Sequence, residues 1–401
     1  KQLRTLSFFS TTLGGRAPDI SMHSDAINNR FDAIFAASGW RPICYRNSMS
    51  KPRIANPKAK TALPPEEPGA NGRIVTSYDV ARLAGVSQSA VSRCFTPGAS
   101  VSAKMRERIK RAADELGYQP NAIARMLITK RSNLVAVIVS NLGVNPDFTT
   151  ILSQHMVDQG LNLLFFTLDH DTDADAERAI DQLWQYRVDG VLSAAQLSEE
   201  HIGLMRERGL PLVFINRLYE VPGANSVCCD HAEGERWLID RLAQAGHKRF
   251  AIIAGPDNSV VSRQRIQGAL DRLKQLGLAK PPIIRGDFTY ESGRKAMRDL
   301  AGEARPDAVI CANDLMAIGC IDEARHGLSL SVPQDVSIVG FDGLAPGQWS
   351  SYNLTTIRQP LKSMVSAAVD MLVARIDDPT IATEKRVFSG DLIEGASARL
   401  R

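Results

Sequence analysis

At 401 residues, 44% of them hydrophobic and 23% charged, the chain is too long for one compact domain and predicts two or three folded units of ordinary water-soluble composition. Its apolar runs, such as LVAVIV from position 134, fall well short of the ~20 residues a bilayer crossing requires, which excludes a membrane-spanning helix of the usual kind. The net charge of +4 is unevenly spread: residues 1–72 hold ten basic against five acidic residues, 73–133 eleven against four, and 134–401 27 against 35. A basic module is therefore attached to an acidic body, and only the module would be drawn to a polyanion.

Residues 1–72 show no sustained period. Asn, Ser and Pro are scattered through them, and TALPPEEPGANG (61–72) reads as an unstructured linker. The segment is basic and contains Ser, a superficial likeness to an organellar transit peptide, but it has no apolar stretch of the kind a secretory signal needs. The chain begins with Lys, and the expectation is a disordered basic upstream extension from a misplaced start, with Met22 and Met49 as internal start candidates.

Residues 75–95, VTSYDVARLAGVSQSAVSRCF, are the most informative stretch. Thr76 and Asp79 form an [ST]-x-x-[DE] helix start, with the Thr hydroxyl capping and the carboxylate reaching back. Val80, Leu83 and Ala84 then face inward at helical spacing. Ala84-Gly85-Val86 is a tight turn in which Gly85 can take a positive φ. Ser87 caps a second helix that buries Ala90, Val91 and Phe95 and turns Gln88, Ser89, Ser92 and Arg93 outward. Those outward residues all form hydrogen bonds and include no carboxylate, which a plain helical hairpin in a core does not explain. They predict a helix-turn-helix whose second helix reads base edges.

Thr96-Pro97-Gly98 breaks that helix, and Ser102 caps a third that carries Met105, Ile109, Ala112, Ala113 and Leu116 on one face, with Lys104, Arg106, Arg108, Lys110 and Arg111 on others and Gly117 at its close. A short helix follows from Pro120 through Leu127, tied to the body by ITKRSN; it is too short to be stable alone and is expected to order against a partner copy on DNA.

VTSYDVARLAGVSQSAVSR followed by VSAKMRERIKRAADELGYQPNAIARML resembles the DNA-binding domain and hinge of the lactose-repressor/galactose-repressor (LacI/GalR) family of bacterial regulators, without a break over residues 74–130. The resemblance implies that Gln88 and Ser89 read bases, that Arg93 is a third base or phosphate reader, and that Tyr78 and Ser92 hold the phosphate backbone, with Asn121 in the DNA-binding hinge. It implies too that Leu127 wedges into the minor groove, where an apolar side chain on a basic hinge can unstack a base step and kink the duplex.

From Leu134 onward strands alternate with helices: LVAVIVS (134–140), LNLLFFTL (161–168), VDGVLSA (188–194), PLVFIN (211–216), RFAIIAG (249–255), DAVICA (307–312) and VSIVGF (336–341), with helices such as 174–186, 231–245, 263–276, 292–300 and 314–326 between them. Continuous apolar strands in β-α repeats predict doubly wound parallel sheets, and the length suits two. DHAEGERWLIDRLAQAGHKRFAIIAGP, GDFTYESGRKAM, ANDLMAIG, VPQDVSIVGFDG and LTTIRQPL resemble the effector-binding core of the same family, which implies a two-lobed periplasmic-binding-protein-like α/β core. On that resemblance lobe one takes about 134–229 and 361–385, and lobe two about 230–358 and the last strand. The expected organisation is 1–72 extension, 73–118 helix-turn-helix domain, 119–133 hinge and linker, and 134–401 effector-binding and dimerisation domain.

Ligands of doubly wound sheets bind beyond the carboxyl ends of the strands. Arg265, Asn313, Asp314 and Asp342 fall there, and Phe288 offers a flat apolar face; a guanidinium, a carboxylate and an aromatic ring together suit a small polyhydroxylated ligand. By resemblance Phe148, Arg265, Phe288, Asn313 and Asp342 contact the effector, with Arg263 and Gln359 as weaker candidates. Each has a structural alternative: Asp314 capping the helix it begins, Asn313 as a turn residue, Arg265 and Asp342 as an internal ion pair. Asp147 in Asn145-Pro146-Asp147-Phe148 stands where many relatives carry an aromatic residue, which points to a more polar ligand or pocket. The tail LIEGASAR lacks the family's usual Arg before its small residues.

Six cysteines show no C-x-x-C pair and no zinc spacing, so Cys228-Cys229 are expected to be small buried residues in a reducing cytoplasm. No phosphate loop, dinucleotide fingerprint, nucleophile elbow or metal spacing is present, so neither an enzyme nor a cofactor is expected. The reading is a ligand-controlled transcription regulator of sugar or sugar-acid genes, a homodimer on a palindromic double-stranded operator in the bacterial cytoplasm, associated with the nucleoid. With no heptad tail a tetramer is not expected. Arg265→Ala is expected to silence the ligand response while operator binding is kept. A solute-binding protein for transport would need an export signal and would have no use for residues 74–130. The other alternative is an architectural DNA-binding protein whose body only dimerises, which a calorimetric screen with sugars and sugar acids giving no heat would favour.

Overall fold

The computed structural model describes residues 74–96, 98–120, 126, 129–140, 145–168, 173–219, 221–300, 302 and 305–400. The expectations for residues 1–72 and for Asn121 and Leu127 lie outside these.

Three helices form the N-terminal module: α1 (Ser77–Ala84), α2 (Gln88–Cys94) and α3 (Ala103–Leu116). At the start of α1 the Asp79 carboxylate accepts both the Thr76 backbone N–H at 2.9 Å and the Thr76 hydroxyl at 2.7 Å. Gly85 ends α1 with φ 59°, and Ser87 caps α2 by accepting the Ala90 N–H at 3.3 Å. Ser102 and Gly117 bound α3 as its sequence predicts. Val80, Ala84, Ala90, Val91, Ile109, Ala112 and Ala113 make one small core. Leu83, expected inside, is 46% exposed, and Ala81 is buried in its stead. The inward stripe of this eight-residue helix is centred on Ala84 and the Ala81 side, against α3, which turns Leu83 outward. Arg106 leaves the exposed basic face and donates to the Cys94 carbonyl at 2.9 Å and the Ala99 carbonyl at 3.3 Å, which satisfies the C-terminal end of α2.

The body contains two six-stranded sheets. The first holds β1 (Leu134–Ser140), β2 (Asn162–Leu168), β3 (Gly190–Ser193), β4 (Leu212–Ile215), β5 (Asn225–Cys229) and β11 (Lys385–Phe388) in the order β11-β5-β4-β3-β1-β2, all parallel. The second holds β6 (Phe250–Ala254), β7 (Ile283–Arg285), β8 (Ala308–Cys311), β9 (Ser337–Asp342), β10 (Thr355–Arg358) and β12 (Asp391–Ile393) in the order β12-β10-β9-β8-β6-β7. Only β12 runs antiparallel to its neighbour. The chain passes between sheets three times, after β5, after β10 and between β11 and β12.

Period two sorts each strand between two helix layers. Val135, Val137 and Val139 of β1 point into one apolar cluster and Ala136 and Ile138 into another, and Ile252 and Ala251 of β6 divide the same way. The helices are α4 (Pro146–Asp158), α5 (Asp173–Tyr186), α6 (Glu199–Glu207) and α11 (Leu361–Asp377) around the first sheet, and α7 (His231–Gln244), α8 (Val260–Gln275), α9 (Tyr290–Leu300) and α10 (Asp314–Asp322) around the second. α10 continues as a π-turn over Glu323–Gly327, where the Glu323 carboxylate holds Arg294 and Arg298 at 2.9 Å each. Both sheets are covered on two faces, which is why their strands read as unbroken apolar runs.

Candidate functional site

The N-terminal module presents one polar edge. The side-chain amide of Gln88, in the first turn of α2, donates to the Ser77 hydroxyl at 3.3 Å, bringing the starts of α1 and α2 together with Tyr78, 68% exposed, beside them. The Ser89 and Ser87 hydroxyls lie 3.0 Å apart, and the exposed Arg93 guanidinium donates to the Ser89 carbonyl at 3.4 Å. No acidic residue lies in the first turn of α2, so its N-terminal N–H groups and Arg93 leave this edge positive. Tyr78, Gln88, Ser89 and Arg93 are thus brought together, and Ser92, half-buried, accepts the Thr96 hydroxyl at its carbonyl.

The second feature is a cleft of about 480 Å³ between the two sheets, at the carboxyl ends of their strands. Phe148, Arg265, Phe288, Asn313 and Asp342 all line it. Arg265 is 2% exposed and extensively engaged: its guanidinium donates to Asp342 at 2.8 Å, to His231 Nδ1 at 3.3 Å and to the Ala312 carbonyl, and it stacks 3.8 Å over the Phe341 ring. Asp342 ends β9 with φ 127° and also accepts the Gln359 amide at 2.7 Å. Arg265, Asp342 and Gln359 therefore form a pre-set polar floor, and the internal ion pair is present.

Asn313, not Asp314, caps α10: its Oδ1 accepts the Met316 N–H at 3.0 Å while its Nδ2 donates to the Phe288 carbonyl at 2.9 Å. Asp314 is fully buried, accepting the Thr356 hydroxyl at 2.5 Å and the Leu344 N–H at 2.6 Å. An extended residue ahead of the helix can cap and the first helical residue cannot, which corrects the expectation for Asp314. Its role is to hold the loop after β9 against the cleft. Arg263 turns away and donates to the Asp257 carbonyl at 2.8 Å; it does not line the cleft.

The sequence reading missed Gln196, Asn216 and Arg217 on the first-sheet side. Asn216 and Arg217 directly follow β4, so the strand-end rule that found Asp342 also applied to them. Asn216 takes φ 61°, and its Oδ1 is buried without a hydrogen-bond partner, as is Gln359 Oε1. Buried acceptors lacking partners are costly; neither oxygen is exposed in the cleft as it stands, so a ligand that brings O–H or N–H donors would satisfy them by turning these side chains toward it. Val261, Phe288, Leu315, Leu344 and Pro346 give part of the remaining wall an apolar face fit to stack on a ring, while Asp147, Asn258 and Ser259 keep another part polar, as Asp147 led one to expect.

Burial also shapes the titrations beneath the floor. It pushes the Glu235 carboxyl up to about 8 and the Asp314 carboxyl up to about 7, the latter with help from the Asp342 charge. It holds His231 well below the usual imidazole range, aided by the Arg265 charge, so His231 is neutral and accepts from the guanidinium. Cys228 and Cys229 are buried and pushed up to about 12, as expected of packing residues rather than reactive thiols. Among the described residues no cluster of metal-ligating side chains occurs, and no helix is long and apolar enough to cross a membrane.

Two family models match the chain: bacterial regulatory proteins of the lacI family over residues 76–121, and a periplasmic binding protein-like domain over residues 239–398. The HTH-type transcriptional regulator CelR of Thermobifida fusca is 33% identical over 327 residues, covering 78% of this chain and 95% of its own. A crystal structure of the lac repressor dimer bound to operator and the anti-inducer ONPF superimposes with TM-score 0.74 at 28% identity, over 81% of this chain and 99% of that one. A complex of the transcriptional regulator CelR with cellobiose matches with TM-score 0.61 at 31% identity, over 81% and 100%. A helix-turn-helix with a polar recognition edge, a two-lobed cleft, and relatives matched over nearly their whole length agree on one conclusion: the chain belongs to the lacI family of bacterial regulatory proteins.

Proposed function

We propose that this chain is a sugar-responsive transcriptional repressor that binds a palindromic operator as a homodimer on bacterial chromosomal DNA, acting by binding rather than catalysis. Residues 73–118 dock on the duplex, 119–133 form the hinge and linker, and 134–401 bind effector and pair the protomers. Gln88, Ser89 and Arg93 read bases, Tyr78 and Ser92 grip phosphates, and Asn121 and Leu127 act from the hinge at the operator centre. Phe148, Arg265, Phe288, Asn313 and Asp342 frame the effector, with Asn216 and Gln359 accepting hydrogen bonds from its donor groups.

The observation that carries this reading is the pair of unpartnered acceptors, Asn216 Oδ1 and Gln359 Oε1, in a cleft on the same chain as a positive recognition edge. A ligand that bridges them must bind the closed and open arrangements of the lobes unequally, and by linkage it then changes operator affinity by the same factor that operator changes its own. The test starts with duplexes selected from a random pool by the full-length chain. Their affinity is then measured by fluorescence anisotropy with and without cellobiose, ribose and other neutral mono- and disaccharides. A symmetric site whose affinity shifts several-fold with one sugar is expected, together with a steep fall of affinity with salt. Recovery of no enriched sequence would sink the regulator reading, and a symmetric site indifferent to every sugar would favour an effector-independent DNA-binding protein.

A further inference from the structure

In the first sheet all strands run parallel, so their carboxyl ends face the cleft and their amino ends face away from it. The linker residues 129–133 enter at the amino end of β1, while Val139 and Ser140 at its other end line the cleft. Any message between ligand and linker must therefore cross the full depth of this lobe.

Several elements of the lobe make that crossing, β3 and α4 among them, and two that do so differ in how they are held. The first is β1, hydrogen-bonded along all seven residues to β2 and along four to β3, so it cannot slide without breaking ladder pairs. The second is α11, which runs the opposite way. Its first turn holds Leu361 and Met364 in the cleft wall, directly after Gln359. At the far end of its seventeen residues, about 25 Å along the axis, it meets the linker. There Arg131 donates to the Asp377 carboxylate at 2.7 Å and to the Ile376 carbonyl at 3.1 Å. Next to it the Asp189 carboxylate accepts the Ser132 N–H at 2.9 Å, the Ser132 hydroxyl at 3.1 Å and the Asn133 N–H at 2.8 Å. Lys130 and Asn133 adopt φ 57° and 55°, uncommon for residues with side chains, as expected of a segment shaped by such anchors. The adjoining Gly190 brings α11 close: a Cβ there would lie 2.9 Å from Leu372 Cδ1 and 3.1 Å from Ile376 Cδ1.

We propose that α11 is the rod that couples the effector cleft to the DNA-binding module, and that Arg131, through Asp377 and the Ile376 carbonyl, is the positioning residue that fastens the linker to it. α11 is held to the lobe by side-chain packing through Met364, Val365, Ala368, Met371 and Leu372, an attachment that permits the small sliding of a shear motion where a strand ladder does not. Its leading end is tied to the other lobe, because Gln359 bonds Asp342 through both its backbone N–H at 3.2 Å and its side-chain amide at 2.7 Å. A ligand that takes up Gln359 Oε1 pulls on this end, and Asp377 and Ile376 move the linker at the other.

This inference rests on the ligand-gated reading and is tested with the full-length protein, an operator recovered by selection, and whichever of cellobiose, ribose or the other neutral sugars shifts wild-type operator affinity most. Arg131→Ala and Asp377→Asn are each expected to keep sugar affinity and sugar-free operator affinity within about threefold of wild type, while the sugar-induced change in operator affinity shrinks at least about threefold. Exchanging the pair, Arg131→Asp with Asp377→Arg, is expected to restore the response, which a loss of general stability would not allow. A full response in both single variants, or failure of the exchanged pair to recover it, overturns the role of α11. A wild-type operator affinity indifferent to every sugar removes the ligand-gated reading itself, so the two failures are distinguishable.

Discussion

Replacing Arg265 by Met tests whether the floor of the cleft is a strut as well as a binding surface. At 2.8 Å the attraction between Arg265 and Asp342 amounts to about 6 kcal/mol at an effective dielectric of about 20, before desolvation is charged against it. Asp342 retains 21% of its side-chain exposure, so solvent screens part of that, whereas Arg265 is 2% exposed and also satisfies His231 Nδ1 and the Ala312 carbonyl. Removing one partner of such a pair leaves a carboxylate and a carbonyl short of donors, and costs about 3 kcal/mol, the low end for a buried pair. At about 2–4 °C per kcal/mol for a body of this size, the melting midpoint followed by circular dichroism should fall by about 6–12 °C. Combining Arg265→Met with Asp342→Leu should cost less than the sum of the two single changes, because the orphaned carboxylate is gone. A single variant melting within a degree of wild type would refute this reasoning and leave Arg265 as a ligand group alone. If the loss appears, Arg265→Ala cannot serve as a clean ligand-site variant.

Three further outcomes follow from the same structure. Burial raises the Glu235 carboxyl from 4.5 to about 8, so between those values the unfolded chain ionises while the folded one stays protonated, and stability falls as pH rises; Glu235→Gln should stabilise the protein at pH 8 and not at pH 4, read from urea midpoints. Gly190→Ala forces a methyl against Leu372 and should cost about 1–3 kcal/mol through displaced packing of α11, with a melting midpoint equal to wild type as the contrary result. Asp79→Ala removes the buried acceptor of both Thr76 donors and should destabilise the helix-turn-helix by about 1 kcal/mol, visible as earlier loss of helical signal; an unchanged transition would mean water replaces the cap without cost.

The helix boundaries of the N-terminal module were legible because each is marked by its own chemistry: Thr76, Ser87 and Ser102 at the starts, Gly85 and Gly117 at two of the ends. Leu83 was misjudged because an eight-residue helix offers too few turns to fix the centre of its apolar stripe. The longer buried strands, β1 foremost, announced themselves as apolar runs. The short β7, β11 and β12 did not, since edge strands such as Lys385–Phe388 are largely exposed and their pairing is decided by partners far away in the chain, and the interior β10 did not because its four residues, Thr355–Arg358, hold a single large apolar side chain. In the cleft, Arg265 and Asp342 were found from their place after strands. Asn216 and Arg217 were passed over because the run PLVFIN reads as strand through position 216 whereas β4 ends at Ile215, and the cap was assigned to Asp314 because sequence alone does not say which of two adjacent polar residues is extended.

The Phe288 ring that walls the cleft lies on Gly255, where a Cβ would come within 2.3 Å of it. Gly255 itself does not line the cleft, yet any larger residue there would tilt the aromatic plane and redraw the space it bounds. Selectivity in this chain can consequently be retuned from underneath, by an exchange at a position that no bound molecule ever meets.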